Sequence, residues 1–72
     1  MNGNQCRLAR VALGWGVREL AEAANVSTQT VSRLERGEDL RPATHERIKT
    51  VLEEAGIIFI SDDRGYGILI TV

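Results

Sequence analysis

Three residues, Asn25, Val26 and Ser27, separate two short segments whose apolar residues have the spacing expected of helices. Asn tolerates the left-handed backbone with which many helices end, and Ser accepts hydrogen bonds from the first turn of a following helix. Val26 is apolar and can enter the core between them. A connection this short brings the segments into close contact, so we expect two packed helices joined by a tight turn.

The two helices can be placed from their composition and their end signals. Residues 17–24 are rich in Ala, Leu and Glu, which favour helices, and residues 28–36 precede Gly37, which favours helix termination. The apolar face consists of Leu20, Ala21 and Ala24 in the first segment and of Val31 and Leu34 in the second. The sequence therefore predicts helices over 17–24 and 28–36, the second so short that packing must stabilise it.

One further helix is predicted before this pair and another after it. Residues 4–13, with Asn4 or Asn2 as the N-cap, form the first. Residues 43–55 form the other, because Pro42 suits a first helical turn and apolar residues then recur at helical spacing. The apolar face of the first helix would consist of Leu8, Val11 and Ala12.

A change of composition after Gly56 predicts a β-hairpin. Residues 57–60 and 66–72 are rich in β-branched and aromatic residues, and they flank a polar segment, 61–65, that ends in glycine. This segment is longer than the loop of the tightest hairpins. Both faces of the strands would be apolar, so the four helices cannot cover both, and some further surface must cover the rest.

The composition of the chain is typical of one ordinary globular domain. It has 72 residues, 43% of them hydrophobic and 26% charged, and no apolar run approaches the roughly 20 residues that cross a bilayer. We therefore expect a cytoplasmic protein without a signal peptide. Cys6 cannot close an internal disulfide, and with only His45 as another soft ligand we expect no metal and no other cofactor. The sequence contains no catalytic constellation, so we do not expect an enzyme.

Charge is unevenly distributed between the two halves of the chain. The overall net charge of −1 argues mildly against a nucleic-acid partner, because such proteins neutralise phosphates with Lys and Arg. Residues 1–37, however, carry five Arg against three Glu, which is a net charge of +2, whereas residues 38–72 carry a net charge of −3. The half that contains the tight turn is thus the basic half, which favours nucleic acid as its partner.

A set of residues around the tight turn has the types and spacing of a known family. They are Leu20, Ala21, Val26, Ser27, Val31, Leu34, Glu35 and Gly37. Over residues 8–55 the chain thereby resembles the phage-repressor or Cro-like helix-turn-helix family, also called the xenobiotic response element (XRE) family. The resemblance implies a mainly α fold, with a compact four-helix lambda-repressor-like domain over residues 1–56. The apolar strands of the hairpin at 57–72 separately predict a dimerisation element of the same domain. It also implies a sequence-specific transcriptional regulator that binds double-stranded DNA.

The resemblance assigns roles in DNA binding to the second helix of the motif and to its surroundings. In this family that helix enters the major groove with its first residues at the base edges. Base contacts are thereby assigned to Thr28, Gln29, Ser32 and Arg33, among which Gln can pair with adenine and Arg with guanine. Backbone contacts are assigned to Val17, Arg18, Ser27, Thr30, Arg36 and Arg41. The alternative is that these side chains are only the solvated face of a surface helix.

Two pairs of positions bear on the stability and anchoring of such a domain. Arg10 and Glu35 stand where the family often joins its first helix to the end of its third by an ion pair, which would be structural. Gly16 and Val17 depart from the Ser or Thr followed by Gln with which the second helix commonly begins, so one anchor to the DNA backbone is missing. Gly still caps a helix tolerably, and its amide at the helix N-terminus can meet a phosphate.

The hairpin departs most from the family, which usually continues with a fifth helix. A homodimer in which two hairpins pair edge to edge or pack face to face would set two recognition helices about 34 Å apart, as a pseudo-palindromic operator requires. The strand that ends with Thr71 and Val72 would lie at this interface. The assigned interface residues are Ile58, Ile60, Ile68 and Ile70. We expect a repressor; the alternative is an antitoxin or antiactivator whose acidic half and hairpin bind a protein partner.

Overall fold

Residues 1–71, which this computed structural model describes, form four helices followed by a two-stranded hairpin. The elements are α1 (Gly3–Ala12), α2 (Val17–Ala24), α3 (Thr28–Glu35), α4 (Pro42–Glu54), β1 (Ile57–Asp62) and β2 (Gly65–Ile70). This order confirms the predicted mainly helical fold with a C-terminal hairpin. Val72, which the sequence predicts in the last strand, lies outside the described residues. Within residues 1–71, every helix is too short or too polar to cross a membrane.

Local hydrogen bonds fix where the first three helices begin and end. Asn2, rather than Asn4, caps α1: its side chain accepts from the Gln5 amide at 2.8 Å, and the Gln5 side chain accepts from the Asn2 amide at 3.0 Å. Asn25 ends α2 in the left-handed conformation, with φ 56° and ψ 48°. Ser27 caps α3 by accepting from the Thr30 amide at 3.1 Å. The tight turn therefore forms as its residue types predict.

The helix α1 is rotated relative to the sequence prediction. Leu8 and Val11, predicted to face the core, are 48% and 62% exposed, and Ala12 is exposed as well. Cys6 and Ala9 are fully buried in their place. Both sets of residues recur at helical spacing, so periodicity could not distinguish them. The prediction was wrong because two contacts beyond the helix itself decide its orientation.

The first of these contacts involves Gly3, and the second involves Gln5. A Cβ atom at Gly3 would clash with the carbonyl oxygen of Leu34 and lie 3.1 Å from the Cα atom of Glu35, so only glycine allows α1 to approach the end of α3 this closely. The Gln5 side chain is buried and donates to the carbonyl oxygens of Ile60 at 2.9 Å and Gly67 at 3.0 Å. These contacts turn the face with the smaller side chains inward.

One hydrophobic core joins the four helices to the first strand. Its fully buried members are Cys6, Ala9, Leu20, Ala21, Ala24, Val31, Leu34, Ile48, Leu52 and Ile57. Trp15, Val17, Phe59 and Ile68 are partly buried and pack against this core. The hairpin is therefore anchored to the helical domain through Ile57 and through the side of the sheet that carries Phe59 and Ile68.

The loop of the hairpin is shorter than predicted. β1 continues through Asp62, so only Asp63 and Arg64 connect the strands, in place of the five residues expected. Asp62 closes the turn by accepting from the Arg64 amide at 2.8 Å, and Gly65 supplies a φ of +150°. The prediction failed because the strands pair through their backbones, which polar side chains in this segment do not prevent.

The register of the hairpin divides its apolar residues between two faces. Ile58 is opposite Leu69 and Ile60 is opposite Gly67, and cross-strand partners lie on the same side of a sheet. Ile58, Ile60 and Leu69 are 46%, 44% and 52% exposed and form what we call the outer face. The inner face, toward the helices, carries Ile57, Phe59, Ile68 and Ile70.

This division separates the members of the predicted interface set. Ile68 is on the inner face and packs against the core, so it is not an open surface residue, and Ile70 belongs to the same side of the sheet although it is 51% exposed. Leu69, which the sequence analysis did not single out, lies on the outer face with Ile58. Thr71 follows the end of β2, and its amide donates to the Gly56 carbonyl at 2.8 Å.

Candidate nucleic-acid interface

Helices α2 and α3 form a rigid pair because small and apolar side chains hold them together. The Val26 amide donates to the Ala21 carbonyl at 2.9 Å and closes the turn between them. Ala21 is 2% exposed, and Val31 is fully buried on the inward side of α3. A short helix held in this way presents its opposite face in a fixed orientation, which a binding surface requires.

The four predicted base-contact residues share that opposite face. Thr28, Gln29 and Arg33 are exposed, and Ser32 is partly exposed. Their spacing along α3 places them on adjacent turns of one side of the helix, away from Val31. The structure thus brings together all four side chains that sequence reasoning assigned to base contacts.

The N-terminus of α3 carries two of the predicted DNA-backbone residues, Ser27 and Thr30. Their hydroxyl oxygens lie 2.8 Å apart and share a hydrogen bond, and Ser27 Oγ also accepts from the Thr30 amide. The positive end of the helix dipole lies at the same point, which favours an anion. This end of the helix therefore combines hydroxyl groups with a favourable electrostatic potential for phosphate.

Arg33 and Arg36, at the other end of α3, share one carboxylate. Arg33 Nε donates to Glu38 Oε1 at 3.1 Å, while Arg36 Nε and Nη2 donate to Glu38 Oε2 at 3.3 and 3.0 Å. Arg36, and to a lesser degree Arg33, hold the pKa of Glu38 below its ordinary value. All three side chains are about half exposed or more. The sequence analysis assigned no role to Glu38.

The position of Glu38 depends on the glycine before it. Gly37 has a φ of +94°, a conformation that glycine adopts without strain, and the backbone reverses there. The amide of Glu38 then donates to the carbonyl of Arg33 at 3.0 Å, which brings the residue back beside the helix. The signal available in the sequence was an acidic residue directly after a glycine C-cap that follows two arginines.

A polar recess beside α3 gathers further predicted DNA-binding residues. It has a volume of about 450 Å³ and lies between α3, the following loop and the start of α4. Three of its residues, Thr30, Arg33 and Arg41, were assigned to DNA from the sequence. The remaining lining residues are Asp39, Leu40 and Thr44. The recess joins the exposed face of α3 to Arg41, which is distant from Arg33 in the sequence.

The start of α2 is less open to a phosphate than the sequence suggested. The amide of Gly16, the N-cap, donates to the carboxylate of Glu19 on the first turn of the same helix. Val17 is partly buried and packs against the core, whereas Arg18 is exposed. A phosphate at this point would have to replace the Glu19 carboxylate at Gly16.

Glu35 links the end of α3 to α1. Arg10 Nε and Nη2 donate to the two carboxylate oxygens of Glu35 at 2.9 and 3.0 Å, and Arg10 Nη1 donates to the Trp15 carbonyl at 3.0 Å. Arg7 lies beside the pair, with Nε 3.5 Å from Glu35 Oε1. The hydrogen bond to Glu35 raises the pKa of Arg10 above its ordinary value. This pair is largely buried between α1 and the end of α3.

Cys6 also contacts Glu35, with its Sγ atom 3.6 Å from Oε2. Burial, together with the negative charge of Glu35, raises the pKa of the Cys6 thiol to about 12. A thiol with such a pKa stays protonated and unreactive at neutral pH. Cys6 is therefore an unreactive, buried member of the core.

Comparison with known families agrees with this geometry. The model of the helix-turn-helix family of the XRE type, a family of DNA-binding regulators, matches residues 7–56. No curated protein matches the chain significantly. The match covers α2, the turn and α3, as well as the greater part of α1 and all of α4. The chain therefore belongs to the XRE-type helix-turn-helix family of DNA-binding regulators.

Proposed function

We propose that this protein is a transcriptional repressor that binds a pseudo-palindromic DNA operator as a homodimer. The observation that carries the proposal is the exposed polar face of α3, held in place by a buried apolar face on the same helix. A helix presented in this way can enter the major groove with its first residues at the base edges. A regulator bound at such an operator would act most simply by excluding polymerase from the promoter.

The side chains on α3 supply the chemistry for reading bases. Gln29 would bind adenine and Arg33 guanine, each through two hydrogen bonds, while Thr28 and Ser32 would contact bases or a thymine methyl. Phosphates on either side would be bound by Val17, through its backbone amide, and by Arg18, Ser27, Thr30, Arg36 and Arg41. The recess that joins Thr30, Arg33 and Arg41 supports this assignment, because it connects the base-reading face to a second cationic residue.

A dimer would compensate for the low affinity of one subunit. The recognition helix carries one arginine, Arg33, and both Arg33 and the C-cap residue Arg36 are already bound to Glu38. The outer face of the hairpin (Ile58, Ile60 and Leu69) is apolar and about half exposed, and a second copy of the same face would cover it. The longest dimension of the chain is 31 Å, so two copies side by side can span one turn of DNA, about 34 Å.

DNA selection followed by affinity measurements tests the DNA-binding part of the proposal. The unmodified protein should enrich a two-fold symmetric sequence from random duplexes, and Arg33→Ala should weaken binding to that sequence about 10-fold or more. Arg64→Ala is a matched control, because Arg64 has the same charge but lies in the hairpin turn, where its side chain, within residues 1–71, is hydrogen-bonded only to Asp62. Equal losses for the two variants would refute the assigned recognition face.

Sedimentation equilibrium with two matched variants tests the dimer. Leu69 on the outer face and Leu8 on α1 are similarly exposed, at 52% and 48%. Leu69→Asn should convert a dimer to a monomer, whereas Leu8→Asn should leave the dimer intact. A monomeric unmodified protein would refute the proposed dimer, and dissociation by Leu8→Asn alone would move the interface to α1.

A second candidate function, binding to a protein partner, is favoured by a specific surface. Besides the outer face, large apolar side chains are exposed on α1, and a groove of about 570 Å³ lies between α1 and β2. The groove is lined by Asn4, Arg7, Leu8, Val11, Ala12, Tyr66 and Ile68. An antitoxin or antiactivator would use such a surface. In that case Leu8→Asn should weaken partner binding without changing the affinity for DNA.

A further inference from the structure

The bond between Arg33 and Glu38 uses the inner nitrogen of the guanidinium. Glu38 Oε1 accepts from Arg33 Nε at 3.1 Å. Within residues 1–71, the two terminal nitrogens of Arg33 form no hydrogen bond. Arg36 is bound differently, because both its Nε and its Nη2 donate to Glu38 Oε2. The carboxylate thus restrains Arg33 but leaves its two terminal nitrogens, its outer edge, unbound. It binds two nitrogens of Arg36.

The two terminal nitrogens of Arg33 are sufficient to bind guanine. Arginine recognises guanine by donating two parallel hydrogen bonds to O6 and N7, which its terminal nitrogens can do while Nε is engaged elsewhere. A long side chain that is free in solution must lose rotamer freedom on binding, at a cost of up to about 2 kcal/mol for Arg. A carboxylate that already restrains the guanidinium reduces this loss for the one base that fits.

We propose that Glu38 is a specificity-determining residue, which positions Arg33 for guanine and at the same time weakens binding to DNA of any sequence. The second effect follows from charge: Glu38 adds a negative charge near the phosphates and engages Arg36, a predicted phosphate contact. The inference rests on the proposed function, because it assumes that α3 enters the major groove. Glu38 would lower the affinity for DNA of any sequence and increase the discrimination in favour of guanine.

The two effects give Glu38→Gln an unusual signature. Removal of the charge releases Arg36, so the affinity for a random duplex should rise and its dependence on salt should steepen by about one ion. The neutral amide oxygen of Gln holds Arg33 more weakly than the carboxylate does, so the preference for guanine at one operator position should fall. An exposed ion pair contributes little to folding, so thermal unfolding should not change. Affinity and discrimination would therefore change in opposite directions.

Asp39→Asn is the matched control. Asp39 is the next residue, it lines the recess beside Arg33, and it forms no hydrogen bond or ion pair within the described chain. The substitution removes one negative charge from the same region without touching the restraint. It should raise the affinity for all duplexes while leaving the preference for guanine unchanged.

The experiment measures dissociation constants for three duplexes: the selected operator, the operator with the guanine read by Arg33 replaced, and a random sequence. The unmodified protein should prefer guanine by about 5- to 100-fold. Glu38→Gln should reduce this preference at least threefold. In a protein that also carries Arg33→Ala, Glu38→Gln should leave the preference for guanine unchanged. If Glu38→Gln raised the affinity for all three duplexes equally, as Asp39→Asn should, the role of Glu38 would be refuted and the proposed function would stand. Failure of the unmodified protein to select any DNA would overturn the proposed function and this inference with it.

Discussion

Arg10 and Glu35 face each other through two hydrogen bonds, with both oxygens of the carboxylate accepting from one guanidinium at 2.9 and 3.0 Å. The side chains are only 14% and 6% exposed, so neither could be solvated well if the other were removed. Because this pair links α1 to the end of α3, its integrity determines how α3 is held in the fold.

Replacement of one partner should therefore destabilise the fold strongly. Glu35→Ala leaves the Arg10 charge without its partner, and we expect the free energy of unfolding to fall by about 3 kcal/mol or more. Urea denaturation measures the change. The double variant Arg10→Met with Glu35→Leu removes both charges and should recover most of the loss. A double variant as unstable as Glu35→Ala would mean that packing, not the unpaired charge, is responsible.

The same pair should make stability depend on pH in the acidic range. Burial alone would raise the pKa of Glu35, but hydrogen bonds and charge from Arg10, with smaller contributions from Cys6 and Arg7, hold it below its ordinary value of 4.5. Since the unfolded chain binds this proton more readily, the stabilisation is complete well above pH 4.5 and is lost as the pH falls toward the lower folded-state pKa. Denaturation across this range measures it.

A comparison with the Arg10→Met, Glu35→Leu double variant isolates this contribution. Glu38 and Asp62 also have lowered pKa values, but both remain in the double variant. We expect the double variant to lose less stability than the unmodified protein between pH 6 and pH 3. This range extends roughly one pH unit or more to either side of the ordinary glutamate pKa. Parallel curves for the two proteins would contradict the assigned pKa direction of Glu35.

Gly3 should tolerate no side chain, although it stands in a helix. A Cβ atom there would clash with the Leu34 carbonyl oxygen. Helix propensity acts in the opposite direction, because Ala is favoured over Gly by up to about 1 kcal/mol in a helix. We expect Gly3→Ala to destabilise the protein by about 1 to 3 kcal/mol, measured by thermal or urea unfolding. Gly67→Ala is the control, since a Cβ atom there meets nothing within 4 Å.

The tight turn and its two helices could be predicted because several independent signals agree there. The periodicity of Val31 and Leu34, the Ser27 cap and the left-handed preference of Asn25 all depend on local sequence. The face of α1 could not be predicted, because Leu8 and Cys6 both lie at helical spacing and the choice depends on distant contacts. Local rules thus fix where helices form, whereas tertiary contacts fix how they are turned.

The candidate site also has features that could be predicted from the sequence and features that could not. The exposed positions on α3, such as Gln29 and Arg33, follow from the position of Val31 on the buried face. The engagement of both arginines by Glu38 does not, because it depends on a backbone reversal and on side-chain placement beyond it. Sequence reasoning therefore identifies which side chains are exposed on the helix, but not which partners already hold them.

Gln5 should prove to be the residue that attaches the hairpin to α1. It is 3% exposed, and its amide donates to the carbonyl oxygens of Ile60 and Gly67, one on each strand. Gln5→Leu keeps a similar volume but leaves both carbonyl groups without this donor, which should cost about 1 to 3 kcal/mol. The same substitution at exposed Gln29 is the control for stability and should have little effect.

Hydrogen exchange separates a local effect of Gln5→Leu from a global one. A two-stranded hairpin is marginally stable alone, so loss of its tie to α1 should accelerate exchange in β1 and β2 more than in α2 or α4. Because the outer face of the hairpin is the proposed dimer surface, the variant should also weaken dimerisation. Uniform acceleration through all elements would instead indicate that Gln5 supports the whole core, and that the hairpin does not open as a separate unit.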